Sequence, residues 1–377
     1  LGEIAREFRV TQPFKGMTIG TGIHLEPKTA VLLRTLADGG ARVVSTGNLN
    51  STQSDTVEYL LEHGIEVIGQ QTRDADVHGS DLAQVIAAKP ELLLDNGGDL
   101  FIRYLEEPYA GLLGGTEETT SGRMRLTAVR DQLGVPVLVI NDSPIKQFAE
   151  NEHAVGQSVF ESFMRITNRS TQGKRVVVFG YGACGRGIAA NFRHASSLVT
   201  VVDTNPVVLL NACLDGFDVQ GRESALTQAD IVVTATGARG VLTSDDLTRF
   251  KDDAILMNAG HFPTEIDVAA MSSDPFVSSV LTSTPGLETL LLEDGRRVHV
   301  LGKGHMVNLA GPSPLGNSIE SMDLGFALQA RCLEVVATGE VDPMAIVVPV
   351  PRYIDEMVAQ AYLDLVNSPH PPARHDE

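Results

Sequence analysis

The run GKRVVVFGYGACGRGIAANF, residues 173–192, joins an apolar strand to a glycine turn and the start of a helix, with Gly180, Gly182 and Gly185 in G-x-G-x-x-G spacing. Each glycine has a reason to be there. One makes the tight turn, one lets backbone approach a pyrophosphate, and one lets helix pack on strand. The helix beyond offers unbonded N–H groups and the positive end of its dipole to phosphates. A second strand, Ser197 to Val202, ends at Asp203, roughly 20 residues on, where a ribose-binding acid belongs. An acid there favours NAD over NADP, because it would repel a 2′-phosphate. A third apolar run, IVVTATG, closes on Thr236 and Gly237, two further expected cofactor contacts. The chemistry implied is hydride transfer, and on this turn alone the chain reads as a dehydrogenase.

Other polar clusters follow apolar runs nearer the N-terminus. His24 lies in GTGIHLEPKTA, and Asp95, Asn96 and Asp99 lie in LLLDNGGDL. GGTEETTSG, residues 114–122, sets Glu117, Glu118 and four hydroxyls between glycines. NDSPIKQFAEN, residues 141–151, places Lys146, Glu150 and Asn151 on roughly one face of an expected helix, and His261 ends the strand in NAGHF. Each has a bland explanation, since paired carboxylates before a helix commonly cap it and a lone lysine is usually solvated. Their recurrence at successive strand ends of one sheet is what an active site in an α/β fold requires.

The elements that must position these groups alternate apolar strands with amphipathic helices, a βαβα rhythm that predicts parallel sheets. One set of units fills the first 140 residues and a second starts at Gly173, so the expected class is α/β, with two Rossmann-like, doubly wound parallel-sheet domains. Residues 1–150 form the first part of a substrate domain and 151–316 an NAD domain. Helices over 317–366 return to the substrate domain, and 367–377, proline-rich and charged, form a disordered tail. A chain of 377 residues suits two cores rather than one. The net charge of −19, with no basic stripe, argues against nucleic acid. Three cysteines without metal-ligand spacing argue against disulfides and structural metal. No apolar run has the length of a membrane span, and a soluble, cytoplasmic protein is expected.

In order along the chain, HLEPKTAVL, NSTQSD, DNGGDL, TEETTSG, NDSPIKQFAEN, GYGACGRG, NAGHFPTEID and GHMVNLA resemble the motifs of the S-adenosylhomocysteine hydrolase family, over about Phe14 to Leu365. The resemblance implies a tightly held, recycled NAD that oxidises a ribose 3′-hydroxyl, which acidifies the 4′ hydrogen and lets a 5′ substituent leave. It implies that Lys146 handles the 3′-hydroxyl proton, Glu118 binds the ribose, and His24 serves proton transfer near the 5′ position. Glu150 matches a family aspartate, and His261 would lie near substrate and nicotinamide. Thr119, Thr120, Ser121, Asn151 and Asn308 would contact NAD, and Glu26, Lys28, Gln53 and Asn317 would bind substrate. A homodimer or homotetramer is expected by the same likeness.

Several positions depart from the family pattern. Asn96 stands where the family has a catalytic aspartate, and an amide can be neither a general base nor a neutral acid. Gly316-Asn317-Ser318 replaces a glycine-histidine-proline-serine loop, and Glu26 and Lys28 replace a threonine and a glutamate that recognise adenine. These changes cluster around the 5′ position and the base. The leading expectation is therefore a redox-neutral enzyme on a purine nucleoside whose elimination stops at an unsaturated sugar, a nucleoside dehydratase. The alternatives are an ordinary S-adenosyl- or S-inosylhomocysteine hydrolase, and a catalytically silent NAD-binding regulator.

Overall fold

The computed structural model of the chain describes residues 1–49, 51–261 and 263–368. It divides into two compact units, Leu1–Gln147 with the described residues from Ile319 onward, and Phe148–Ser318. The expected divisions fall after residues 150 and 316. The helix Arg352–Asn367 includes Asn367, which had been assigned to the tail, and residues 369–377 lie outside the described residues.

Strands β1 (Thr18–Gly22), β2 (Arg42–Thr46), β3 (Glu66–Ile68), β4 (Leu92–Asp95), β5 (Gly114–Glu117) and β6 (Val137–Val139) belong to the first unit. The second holds β7 (Arg175–Phe179), β8 (Leu198–Val202), β9 (Asp218–Val219), β10 (Ile231–Thr234), β11 (Ala254–Asn258), β12 (Val277–Thr284), β13 (Leu287–Leu292) and β14 (Arg297–Leu301). The chain then returns to the first unit through the long helix Ile319–Ala337 and β15 (Val348–Pro349).

The first sheet runs β15-β6-β5-β4-β1-β2-β3, every pairing parallel. Strand order reverses direction at β1, which pairs with both β2 and β4, so the ends of β1 and β4 flank a topological switch point, where open α/β sheets bind ligands. Leu92, Leu93 and Leu94 are all fully buried because helices cover both faces of a parallel sheet. Leu93 packs with Val44, Val85, Leu100 and Phe101, each such side chain contributing about 1.5–3 kcal/mol on removal from water.

The second sheet runs β12-β13-β14-β11-β10-β7-β8-β9. Along β7 the side chains alternate between two cores, Val176 and Val178 in one and Val177 and Phe179 in the other, as a period of two requires. The two edge pairings are antiparallel, β13 to β14 and β12 to β13. This hairpin departs from the purely parallel expectation; its turn holds Pro285 and Gly286, with Gly286 at φ +82°.

Candidate functional site

In the first unit, the carboxyl ends of β1, β2, β4 and β5 and the segment after β6 bring four expected site residues into one hydrogen-bonded chain. Lys146 Nζ donates to Glu118 Oε1 at 2.8 Å. Asn96 Nδ2 donates to Glu118 Oε2 at 2.9 Å, and Asn48 Nδ2 donates to Asn96 Oδ1 at 2.8 Å. The Ser51 hydroxyl donates to the Asn48 carbonyl at 3.1 Å and lies 2.6 Å from His24 Nδ1. Donor and acceptor in the last pair follow the tautomer of the imidazole.

Asn96, Glu118 and Lys146 are at most 5% exposed. Burial pushes the Glu118 carboxyl up, but the Lys146 ammonium and the hydrogen bonds from Lys146 and Asn96 outweigh it and hold it below the usual carboxylate range. A carboxylate only accepts, so it fixes Asn96 with its amide nitrogen toward Glu118. The arrangement is a buried ion pair with a neutral amide beside it, where a second carboxylate would have stood against a like charge.

Asn48 and Ser51 complete this chain, and sequence reasoning did not single them out. The signals were the polar run GNLNSTQS at the end of an apolar strand and, for Ser51, its place in the motif NSTQSD. Glu26 Oε2 and Lys28 Nζ pair at 3.0 Å. Burial raises the Glu26 carboxyl while the Lys28 charge opposes the rise. Gln53 is half-buried at the N-terminus of the helix Ser54–Glu62. Asp99 accepts from Arg125 at 2.6 Å. The Thr119 hydroxyl caps the helix Thr120–Ala128, accepting from Gly122 N at 2.9 Å and donating to Glu117 Oε1 at 2.7 Å. It also lies 3.1 Å from Ser121 Oγ, and Thr120 opens the same helix.

Beneath these groups lie two fully buried acids, Asp95 and Glu117, register partners at the ends of β4 and β5. Burial, with a smaller contribution from the Asp99 charge, pushes Asp95 up to about 7, whereas an unfolded aspartate titrates near ~3.9. A folded-state pKa above the unfolded one gives stability that is fully present below about pH 4 and is lost as pH rises through about 7. Thermal melting between pH 4 and 8 should therefore show a decline in Tm that Asp95→Asn flattens, whatever the variant's overall loss. An equally steep decline in the variant would assign the slope to other groups.

Lys146, Glu150 and Asn151 stand on a π-helix, Lys146–Ala154, so the α-helical spacing that set them on one face does not apply. Such i→i+5 winding is rare and concentrates at functional sites. Glu150 is buried and Asn151 half-buried.

In the second unit the dinucleotide turn has the predicted form. Gly180 sits at φ +91°, and a Cβ on Gly185 would lie 1.9 Å from the Gly180 carbonyl oxygen. Around Gly182 nothing lies within 4 Å of a would-be Cβ, which leaves the approach to the N-terminus of the helix Ala183–His194 open. Asp203, at the end of β8, accepts from Tyr181 N at 3.0 Å and Asn205 N at 2.9 Å. Asn308 is buried with Nδ2 donating to Ser158 Oγ at 3.2 Å, and its Oδ1 has no partner among the described residues. Asn317 lies beside it, accepting from Ser158 at 3.0 Å. The open glycine, the uncapped helix end, the acid at 203 and the orphaned amide oxygen fit NAD. Thr236 N, Thr236 Oγ1 and Gly237 N instead all donate to Glu265, at 3.0, 2.9 and 2.7 Å. His261 is half-buried just past β11.

Two Rossmann-like units, one built around a dinucleotide turn and the other holding a buried lysine–glutamate pair at its switch point, define an NAD-binding α/β protein. The family model described as S-adenosyl-L-homocysteine hydrolase matches residues 1–108, and that for the NAD-binding domain of the same hydrolase matches residues 151–313. The chain is 40% identical over 370 residues to the adenosylhomocysteinase of Thermotoga maritima, covering 97% of this chain and 91% of that one. It is 38% identical over 371 residues to the S-inosyl-L-homocysteine hydrolase of Methanopyrus kandleri, covering 97% and 87%. The protein belongs to the S-adenosyl-L-homocysteine hydrolase family, with NAD as cofactor. In fold alone it is similar to an oxidoreductase of the D-3-phosphoglycerate dehydrogenase type from Ralstonia solanacearum, with TM-score 0.52, 15% identity and coverage of 87% and 96%. Among the described residues no helix is long and apolar enough to cross a membrane, and no cluster of side chains could hold a metal ion.

Proposed function

We propose that the protein hydrolyses the thioether of an S-nucleosylhomocysteine, with NAD kept bound and recycled. The observation that carries this reading is the buried Lys146–Glu118 pair at 2.8 Å, tied through Asn96 and Asn48 to the Ser51 and His24 side of the same unit. NAD supplies reversible hydride exchange at the ribose 3′ carbon. The chain's own residues move protons and hold the substrate. In the resting pair Lys146 is an ammonium held by Glu118; it first gives up a proton to solvent, after which Nζ takes up the 3′-hydroxyl proton and later returns it, with Glu118 holding the ammonium form. The acidified 4′ hydrogen leaves as a proton to a base, and its electron pair forms a double bond between the 4′ and 5′ carbons as the pair of the 5′ carbon–sulfur bond departs on sulfur. Once water has added at the 5′ carbon, the 4′ carbon takes a proton back before the ketone is reduced. His24 exchanges the proton that water brings for the one the sulfur needs. Water thus contributes hydroxyl to the 5′ carbon and a proton to sulfur, and the net change is hydrolysis without oxidation. Glu150 and His261 are proposed as further groups near the reacting ribose, Asn151, Asn308 and Asp203 as cofactor contacts, and Gln53 and Asn317 as substrate contacts.

The nucleobase is proposed to be hypoxanthine. Lys28 only donates, which suits the 6-oxo group of hypoxanthine as acceptor and not the 6-amino group of adenine. We expect kcat/KM for S-inosylhomocysteine to exceed that for S-adenosylhomocysteine by at least about tenfold, the scale of an unpaired buried polar group. The dehydratase reading rests on the amide at position 96 together with the changed loop at Gly316-Asn317-Ser318 and the changed base-recognising residues Glu26 and Lys28, and the curated relatives favour the hydrolase over it. Offering both thioethers and the free nucleosides, with homocysteine and unsaturated nucleoside measured by mass spectrometry, separates the two. Turnover of free nucleosides with no homocysteine released from either thioether would replace hydrolysis by dehydration.

A further inference from the structure

Each unit hides a glutamate that touches no solvent, Glu117 at the end of β5 and Glu265 beyond β11, both 0% exposed. Neither can meet a substrate or a cofactor directly. Each instead gathers donors from a turn at the end of a strand. Glu117 Oε1 accepts from Gly97 N at 3.1 Å and from Thr119 N and Oγ1 at 2.7 Å each, and its Oε2 accepts from Gly98 N at 2.9 Å. It thereby ties the turn after β4, which carries Asn96, to the turn after β5, which carries Glu118. Glu265 does the same for the turn after β10, taking both backbone donors and the hydroxyl that Thr236 and Gly237 offer.

Both carboxylates are also enclosed by a glycine that leaves them room. A Cβ on Gly122 would lie 2.1 Å from Glu117 Oε1, and a Cβ on Gly260 would lie 1.6 Å from Glu265 Oε1. Neither glycine has the positive φ that would itself require glycine. Steric room for the carboxylate accounts for both.

We propose that Glu117 and Glu265 are paired positioning residues, one fixing the turns that present Asn96 and Glu118 to the reacting ribose, the other fixing the strand-end turn of the cofactor-binding unit. These bonds act on main chain, so they set where neighbouring side chains start. The functional consequences separate by unit. Loss of Glu117 misplaces the proton-handling groups while leaving the dinucleotide turn intact; loss of Glu265 weakens NAD retention while leaving the Lys146–Glu118 pair intact.

The activity readout rests on the hydrolase reading above, whereas the other two readouts do not. In Glu117→Gln, kcat is expected to fall about 10–100-fold, the scale of a misplacement near 1 Å, and by more than the NAD content per chain, to which this turn is linked through Thr119. In Glu265→Gln, NAD released on denaturation is expected to fall at least about tenfold, with kcat recovered at saturating NAD. Gly122→Ala and Gly260→Ala, which crowd the carboxylates without removing them, should reproduce the two patterns separately. Hydrogen exchange of the wild-type protein supplies a measurement that survives a variant's failure to fold. The amides of Gly97, Gly98 and Thr119 should be protected and open together. Independent opening of those amides, or equal loss of kcat and NAD in both glutamate variants, would overturn the proposal. If the wild-type protein releases no homocysteine, the hydrolase reading fails, while the exchange and NAD readouts still decide this one.

Discussion

Replacing Lys146 with methionine lowers kcat by about 10²–10⁴-fold, the contribution of a positioned proton-transfer group, while the NAD released per chain stays at the wild-type level. The first effect follows from the 2.8 Å contact with Glu118, and the second from the location of the dinucleotide turn in the other unit. Stability changes as well. Methionine leaves Glu118 buried without its counter-charge, and breaking a buried pair on one side costs about 3–5 kcal/mol. The Lys146 charge opposes the upward push of burial on Glu118, so in the variant that carboxyl rises. Stability then is present while Glu118 is protonated and is lost as pH rises through its new pKa. The variant should melt closest to the wild type at acid pH and furthest from it at neutral pH. A methionine variant with wild-type kcat would remove Lys146 from the chemistry.

Asn96→Asp is expected to have the next largest effect. It places a carboxylate oxygen where Asn96 Nδ2 now donates to Glu118 Oε2 at 2.9 Å. Two carboxylates that close repel, and although the Lys146 ammonium beside Glu118 offsets part of the repulsion, one pKa of the new pair is raised and the pair shares a proton at the acid end of the range. The shared proton supplies an acid that the amide lacks. Thioether hydrolysis should rise at least about tenfold below neutral pH, and log kcat should acquire a limb that falls as pH rises through the dyad. Steady-state rates from pH 5 to 9 test this, and a profile superimposable on the wild type would show that position 96 does not act on the reacting atoms.

The parts of this account that the sequence made legible are those where one residue type is the only solution. Gly180 and Gly185 could be read because positive φ and the 1.9 Å approach to a carbonyl oxygen exclude every other side chain. Asp203 followed from its distance past the turn. Lys146, Glu118 and Asn96 could be named because they recur at strand ends. What they bond to could not be read. Asn48 and Ser51 look like ordinary turn residues until β1, β2 and β4 pair in register and bring their turns beside Asn96. Glu117 and Glu265 look like surface acids or caps, since nothing local reveals that a glycine has been cleared for them. The π-helix at Lys146–Ala154 was hidden because its residues give no period distinct from an α-helix. The β12–β13 hairpin was missed for lack of strict apolar alternation on an edge.

The central claim is that NAD stays on the protein and hydrolysis passes through loss of the 4′ hydrogen. It is tested most directly by incubating the protein as isolated, without added NAD, with S-inosylhomocysteine in heavy water and measuring the nucleoside by mass spectrometry and NMR. The account predicts many turnovers per chain, with inosine carrying deuterium at C4′, one homocysteine per inosine, and no accumulation of reduced cofactor beyond one per chain. Inosine released with its original hydrogen at C4′ would contradict it.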